Sequence, residues 1–213
     1  MNDSTVIDCD GHVNETEEMW AEYLEPAYRA QRPRIVQDNW GKELWMVEGR
    51  LYAYNPADWG AKLSGWWELA QTRIGGTDPH ARLKDMDETR IDMAVVFGAL
   101  MAGLNTFTDA GLAAAMCRAY NNWVKDYCGI NPRRLKFVAY VPLHDIDEAV
   151  KELQRAVGKL GAVGVAIAPS LWAVSGKNLD DPSFYPFYAA AQELDVPVCI
   201  HDSGVATRDT AGG

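Results

Sequence analysis

The chain lacks any long hydrophobic run. Its longest candidate, Gly161 to Leu171, is short and interrupted by glycine, proline and serine, well under the roughly 20 apolar residues a membrane-spanning helix needs. It is also poor in positive charge, with 20 Lys and Arg against 30 Asp and Glu and a formal net charge of -10. Binding a phosphate backbone or an anionic bilayer takes a basic patch, so nucleic acid and membrane are excluded as partners. The nearest basic cluster, Pro132-Arg133-Arg134, supplies two arginines. Cysteine is scarce: Cys9, Cys117, Cys128 and Cys199 show no C-x-x-C spacing, which argues against a metal knuckle or redox motif, and all four read as reduced. Cys9 and Cys199 lie in apolar, strand-like runs where a small buried thiol is ordinary. The start, Met-Asn-Asp-Ser-Thr, carries no basic n-region or apolar h-region, so the expected location is the cytoplasm. No low-complexity segment stands out, and no glycine-rich phosphate loop follows the first strand-like segment.

What is present is 213 residues, 48% of them hydrophobic, enough for a sizeable core. The stretch Val6-Ile7-Asp8-Cys9-Asp10-Gly11-His12 stands apart within it. A β-branched run leads straight into two carboxylates and an imidazole. In an extended segment side chains alternate, so Asp8, Asp10 and His12 are expected on one side, where Asp10 and His12 can grip a single cation. The plainer reading is a strand end with a loop-capping Asp and a solvated His.

Residues Glu15 to Ala30 carry Met19, Trp20, Tyr23 and Leu24 at helical spacing, with Pro26 as a break or kink. Three short strands follow, Arg34 to Val36, Leu44 to Val47 and Leu51 to Tyr54, separated by turn residues, and predict a small antiparallel meander. Trp20, Trp40, Trp45, Trp59, Trp66 and Trp67 crowd this region, where they pack an excursion short of aliphatic core, or wall a pocket. From Asp78 helices and strands alternate. Asp78-Pro79-His80 opens a helix and Met93 to Gly98 is a buried strand; a helix takes Asp109 to Cys128 and a strand Leu135 to Leu143. Asp145 then caps a helix from Ile146 to Leu160, Val163 to Ala168 is a strand, Asp181-Pro182 starts a helix through Leu194, and Val196 to Ile200 delivers His201.

Five nearly continuous apolar strands separated by helices predict a parallel sheet buried on both faces. An open doubly wound sheet and a (β/α)8 barrel both satisfy that pattern. The missing phosphate loop, and polar residues gathered at the carboxyl ends of the first and fifth of these strands, favour the barrel.

These residues resemble the amidohydrolase-related (amidohydrolase 2) family, the aminocarboxymuconate semialdehyde decarboxylase-like group of metal-dependent decarboxylases and hydrolases. The resemblance is carried by Ile7 to His12, Arg32 to Val36, Val47 to Arg50, Arg82 to Asp87 with Ile91 to Val95, Val141-Pro142-Leu143, Gly176 to Pro182, and Val196 to His201. It implies an α/β fold of the (β/α)8 TIM-barrel, metal-dependent hydrolase type. Only the first five β/α units are present, in one domain over residues 1–213 that is incomplete at its C-terminal end, with a helix and β-meander insertion at 15–77. Five units cannot close a barrel, so the chain is expected to be the N-terminal part of a longer enzyme. The resemblance further implies one divalent metal ion, zinc or manganese, held by Asp10, His12 and His201. Many relatives have His or Glu where Asp10 stands, and the oxygen donor makes manganese or another harder ion less surprising. The family's acid or base and its last metal-binding aspartate are expected beyond residue 213.

The implied activity is decarboxylation of an aromatic or unsaturated carboxylic acid, the metal orienting the carboxylate while a proton is delivered to the carbon that bears it. Hydrolysis of a C-C, amide or lactone bond is the alternative within the superfamily. A non-catalytic binding or scaffold relative is the alternative outside it, set against the retention of all three ligand residues. The partners implied are a small-molecule carboxylic acid and a second copy of the chain in a dimer. Asp8 is read as orienting a ligand residue or tying down a loop. His144 is a candidate substrate contact; Trp172 either stacks on a planar substrate or packs on its own loop. Arg50 and Lys177 are candidates for a substrate carboxylate or ordinary surface charge, and His80 reads as an exposed first-turn residue.

Overall fold

The computed structural model describes residues 5–37, 39, 43–53, 74–171 and 175–201. Strand β1 (Ile7–Val13) leads to helix α1 (Glu17–Tyr23), capped by the Thr16 hydroxyl, which accepts from Met19 N. The helix expected through Ala30 stops there. Leu24 is already extended, and Glu25, just before Pro26, is biased out of the helical region; only a 3-10 turn at Arg29–Gln31 follows. Then come β2 (Arg34–Gln37), β3 (Glu43–Val47) and β4 (Arg50–Ala53), a three-stranded antiparallel sheet. Trp20 and Trp45 are buried; Trp40, Trp59, Trp66 and Trp67 lie outside the described residues.

Helix α2 (Pro79–Thr89) begins where Asp78 accepts from His80 N and Pro79 occupies the first turn, and it ends at Arg90 in the left-handed region. The chain continues through β5 (Met93–Gly98), a 3-10 segment at Met101–Thr106, α3 (Ala110–Gly129), β6 (Leu135–Tyr140) and α4 (Ile146–Arg155). A π turn over Ala156–Leu160 precedes β7 (Gly164–Ile167), α5 (Tyr185–Glu193) and β8 (Val198–Ile200). Prolines trim two strands relative to their apolar runs. β6 ends before Pro142 and β8 begins after Pro197, neither of which can donate to a ladder.

The parallel strands stand in the order β1-β5-β6-β7-β8, which is chain order without a reversal. A doubly wound sheet reverses direction at its switch point; an unreversed, curled parallel sheet is an arc of a (β/α)8 barrel. Its inner strands are deeply buried, with Val96, Ala139 and Val165 fully enclosed, each valine contributing roughly 1.5–3 kcal/mol through burial. The outer strands differ: Ile7 is 49% exposed and Ile200 62%. Cys9 is accordingly exposed and Cys199 half-buried, against the expectation of two buried thiols; both lie on strands with a neighbour on one side. Parallel pairing puts the carboxyl ends of all five strands on one rim, which is where His12 and His201 emerge.

Candidate metal centre

Strand β1 is irregular where its polar residues sit. Ile7 and Asp8 pair with Met93 and Ala94, but Gly11 and His12 pair with Val96 and Phe97, so β1 spends one extra residue between Asp8 and Gly11. Such a bulge inverts the alternation beyond it. Asp8, expected on the side of Asp10 and His12, instead shares the side of Gly11: a Cβ built on Gly11 would lie 3.2 Å from Asp8 Oδ2 and 3.4 Å from Arg82 Nη1. Period-two counting fails here because the strand is not regular.

On the other side of β1, Asp10 and His12 meet His201. One donor atom from each lies within 4.8 Å of the others, and His201 Nε2 stands 3.0 Å from Asp10 Oδ1. The backbone fixes this meeting, because His201 N donates to the Ile167 carbonyl at 2.9 Å and so continues the β7–β8 ladder one residue past Ile200. The His12 and His201 rings are 5.0 Å apart, edge to face, and Phe97 packs against His201 at 4.8 Å. Burial first, and then the neighbouring His201, pushes the His12 imidazole below its ordinary value, with Asp10 pulling the other way. A neutral imidazole keeps the lone pair that a cation needs. One carboxylate oxygen and two imidazole nitrogens form a donor set that suits zinc or manganese, so the side chains present fit a divalent ion.

Behind β1, Arg82 on the first turn of α2 ties the strand down. Its Nη2 donates to the His12 carbonyl and its Nε to the Gly75 carbonyl at 3.0 Å, and the Tyr127 hydroxyl donates to that same Gly75 oxygen. Asp8 Oδ1 accepts from Asp10 N at 3.0 Å. Asp8 and Arg82 thus hold the backbone of the two residues whose side chains face His201. The sequence assigned Arg82 no role, since its partners are carbonyls that leave no trace in residue identity. The Asp78-Pro79 cap fixes only that residue 82 lies one turn into the helix.

Next to His201 lies a small cavity whose wall includes His144, Asn105 and Leu143. His144 Nε2 is 2.8 Å from the Phe107 carbonyl, and burial pushes this imidazole below its ordinary value, opposed by that hydrogen bond. The structure does not bring the remaining candidates to the cluster. Arg50 is exposed, and its Nη1 donates to the Thr106 carbonyl at 3.2 Å. Lys177 Nζ reaches Ser183 Oγ at 2.8 Å on its own loop, and His80 is exposed at the start of α2. Trp172 lies outside the described residues. Phe97 and Asn105 were missed: one reads as ordinary core, the other falls in a stretch with no periodic signal.

A family model described as an amidohydrolase matches residues 7–211. The chain belongs to the amidohydrolase family. Gamma-resorcylate decarboxylase of Rhizobium sp. (strain MTP-10005) is 30% identical over 139 residues, covering 61% of this chain and 42% of that protein. The 2-amino-3-carboxymuconate-6-semialdehyde decarboxylase of Dictyostelium discoideum is 25% identical over 132 residues, 62% of this chain and 36% of its own length. This amidohydrolase chain therefore spans less than half the length of those curated relatives. Among solved structures, an amidohydrolase from Mycobacterium avium subsp. paratuberculosis K-10 superposes with a TM-score of 0.75 at 20% identity, over 100% of this chain and 63% of the other. The 5-carboxyvanillate decarboxylase of Novosphingobium aromaticivorans, solved with manganese, gives 0.64 at 20% identity over 98% and 54%. At such identities these likenesses show the fold. Among the described residues no helix is long and apolar enough to cross a membrane.

Proposed function

We propose that this chain carries the metal-binding part of a metal-dependent carboxy-lyase that decarboxylates an aromatic or unsaturated carboxylic acid. The observation that carries the reading is the convergence of Asp10, His12 and His201 at the carboxyl rim of the sheet. That rim is where barrels of this kind do their chemistry. A divalent ion bound there, manganese or zinc, supplies a positive centre that orients the substrate carboxylate and offsets negative charge developing nearby. The chain's own groups do the rest of the positioning. Asp10 contributes the anionic donor, the buried His12 a neutral one, and Phe97 a flat wall behind His201. Asp8 and Arg82 hold the backbone so that these donors need little rearrangement on binding. Relatives named for decarboxylation of resorcylate and aminocarboxymuconate semialdehyde support the reaction class, and the manganese in the 5-carboxyvanillate decarboxylase supports the ion. The same reading makes the enzyme a cytoplasmic homodimer whose partner is a small carboxylic acid.

Elemental analysis of purified wild type and His12→Ala tests it. The expected result is close to one divalent ion per wild-type chain and none in the variant. A wild type that stays metal-free in manganese- or zinc-supplemented buffer overturns the reading.

A further inference from the structure

Three residues past His12, Glu15 is only 2% exposed, and among the described residues no lysine or arginine pairs with it. Its Oε2 accepts from Leu100 N at 2.9 Å and its Oε1 from Met101 N at 3.0 Å. These two amides follow directly on Ala99, whose N–H donates to the Val13 carbonyl at 3.0 Å where the β1–β5 ladder ends. The stretch leading out of β1 thus keeps hold of the chain after β5 by a side chain once its backbone bonds stop. Gly98 leaves the room for this: a Cβ built there would lie 2.6 Å from Glu15 Oε1 and 2.7 Å from the Tyr120 ring. Burial pushes the Glu15 carboxyl above its ordinary value, and the Leu100 and Met101 N–H groups pull it back. A buried carboxylate without a cation costs stability that an apolar side chain would not. Such departures gather at functional sites. What Glu15 grips borders the metal cluster at two points. Just before the gripped amides, Phe97 packs on the His201 ring at 4.8 Å. From Met101 onward, Met101, Ala102, Leu104 and Asn105 wall the small cavity that His201 also lines.

We propose that Glu15 is a positioning residue of the metal site: its carboxylate fixes the end of β5 and the segment after it, and through Phe97 and the cavity wall it fixes the seat of the His201 ring. The inference rests on the metal-dependent reading above and adds to it a side chain outside the donor set. Asp8 and Arg82 hold the backbone under Asp10 and His12; Glu15 does the corresponding work on the side that meets His201. An ionised carboxylate suits the task because each oxygen takes one N–H in a charge-assisted bond. A glutamine amide would satisfy one of the two and turn its NH2 against the other.

NMR of histidine-labelled protein, together with calorimetric titration with manganese, tests this. The chain has four histidines, few enough to assign by substitution. In Glu15→Gln the His201 ring resonances of the metal-free protein, which sense the Phe97 ring, should move toward those of an exposed histidine, and manganese affinity should fall about tenfold. Arg134→Met controls for stability alone, since Arg134 clamps carbonyls at the opposite end of the β1–β5 pair. It should lower the melting temperature and leave both readouts at their wild-type values. Hydrogen exchange on the wild type needs no variant to fold: the Leu100 and Met101 amides should exchange about 100-fold or more slower than in a free peptide. Free-peptide rates at those amides overturn the proposal, however the variants behave. So do His201 resonances and manganese affinity that stay put in Glu15→Gln, or that move equally in Arg134→Met. If the wild type holds no manganese, the metal-dependent reading falls, while exchange and the metal-free resonances still decide whether Glu15 seats the His201 ring.

Discussion

Arg134 and Arg82 both hand guanidinium N–H groups to backbone carbonyls beside the β1–β5 pair, one at each end. Arg134 donates to the Ile91 and Asp92 carbonyls at 2.8 and 3.1 Å and to Asp87 at 2.6 Å, closing the turn by which α2 feeds β5. Close by, the Asp92 carboxylate accepts from Val6 N. Arg82 does comparable chemistry on the Gly75 and His12 carbonyls, but one of its acceptors belongs to a residue whose side chain faces His201. The amino end of the sheet uses its charges to set where strands start. The carboxyl end uses the same kind of contact to aim side chains. One rim serves stability and the other serves the site, the division expected of a parallel barrel.

Breaking both clamps tests that division. Arg82→Met should weaken manganese binding by about 10–100-fold, the usual cost of losing a group that orients a metal-binding residue, read by calorimetric titration with the metal. Arg134→Met should lower stability by about 1–3 kcal/mol in urea unfolding, because two carbonyls and one carboxylate lose charged donors, while manganese affinity stays at the wild-type value. Equal losses of metal affinity in the two variants would mean that the ends are not separable and that Arg82 acts only through overall stability. Asp8→Asn is a gentler probe. It keeps an oxygen to accept from Asp10 N and removes the negative charge near Arg82, so manganese affinity should fall only a few-fold, and Asp8→Ala should fall further. An Asp8→Ala protein with unchanged affinity would show that the bulge is held by Arg82 alone.

A different contrast, between local and long-range signals, governs what could be read from the sequence. Along the helices and strands the signals are local. Asp78-Pro79 caps α2, the apolar run at Met93 to Gly98 is β5 residue for residue, and Asp109 caps α3. Hydrophobic period and capping chemistry write such features directly into residue type. The carboxyl end was legible in its side chains, since Asp10, His12 and His201 were named and do meet. Its backbone was not legible. The extra residue in β1 turns Asp8 away from Asp10; Gly11 is the one residue type in Asp-Cys-Asp-Gly that hints at a bulge, but the irregularity itself shows only in the pairing with Ala94 and Val96 on the neighbouring strand. Arg82 was hidden for a related reason, because a carbonyl acceptor is the same whichever residue owns it. Asn105 became visible only once Ser170, 65 positions away, was placed beside it.

The smallest effect expected is in the pH dependence of the metal-free protein, and it too belongs to one end. His12 and His144 both lie at the carboxyl rim, and burial pushes both below the ordinary histidine value of about 6.5. As pH falls through that value the unfolded chain takes up protons that the folded chain resists, so the folded state binds fewer and loses stability. The loss begins near pH 6.5, grows as the solution becomes more acid, and levels off once the lower folded values are passed; above neutrality neither group contributes. Glu15 works in the opposite sense. Its buried carboxyl accepts from Leu100 N and Met101 N yet is pushed upward by desolvation, so the folded state gains its proton first on acidification. A single pH profile therefore mixes the two, and a difference between variants separates them. Urea midpoints of wild type and His144→Gln at pH 7.5 and 5.5 should show a smaller acid loss in the variant, whose residue 144 does not titrate, with Glu15 cancelling between them. An equal loss in both proteins would mean that the His144 ring takes up its proton as readily in the fold as in water, and the acid sensitivity would then rest with His12.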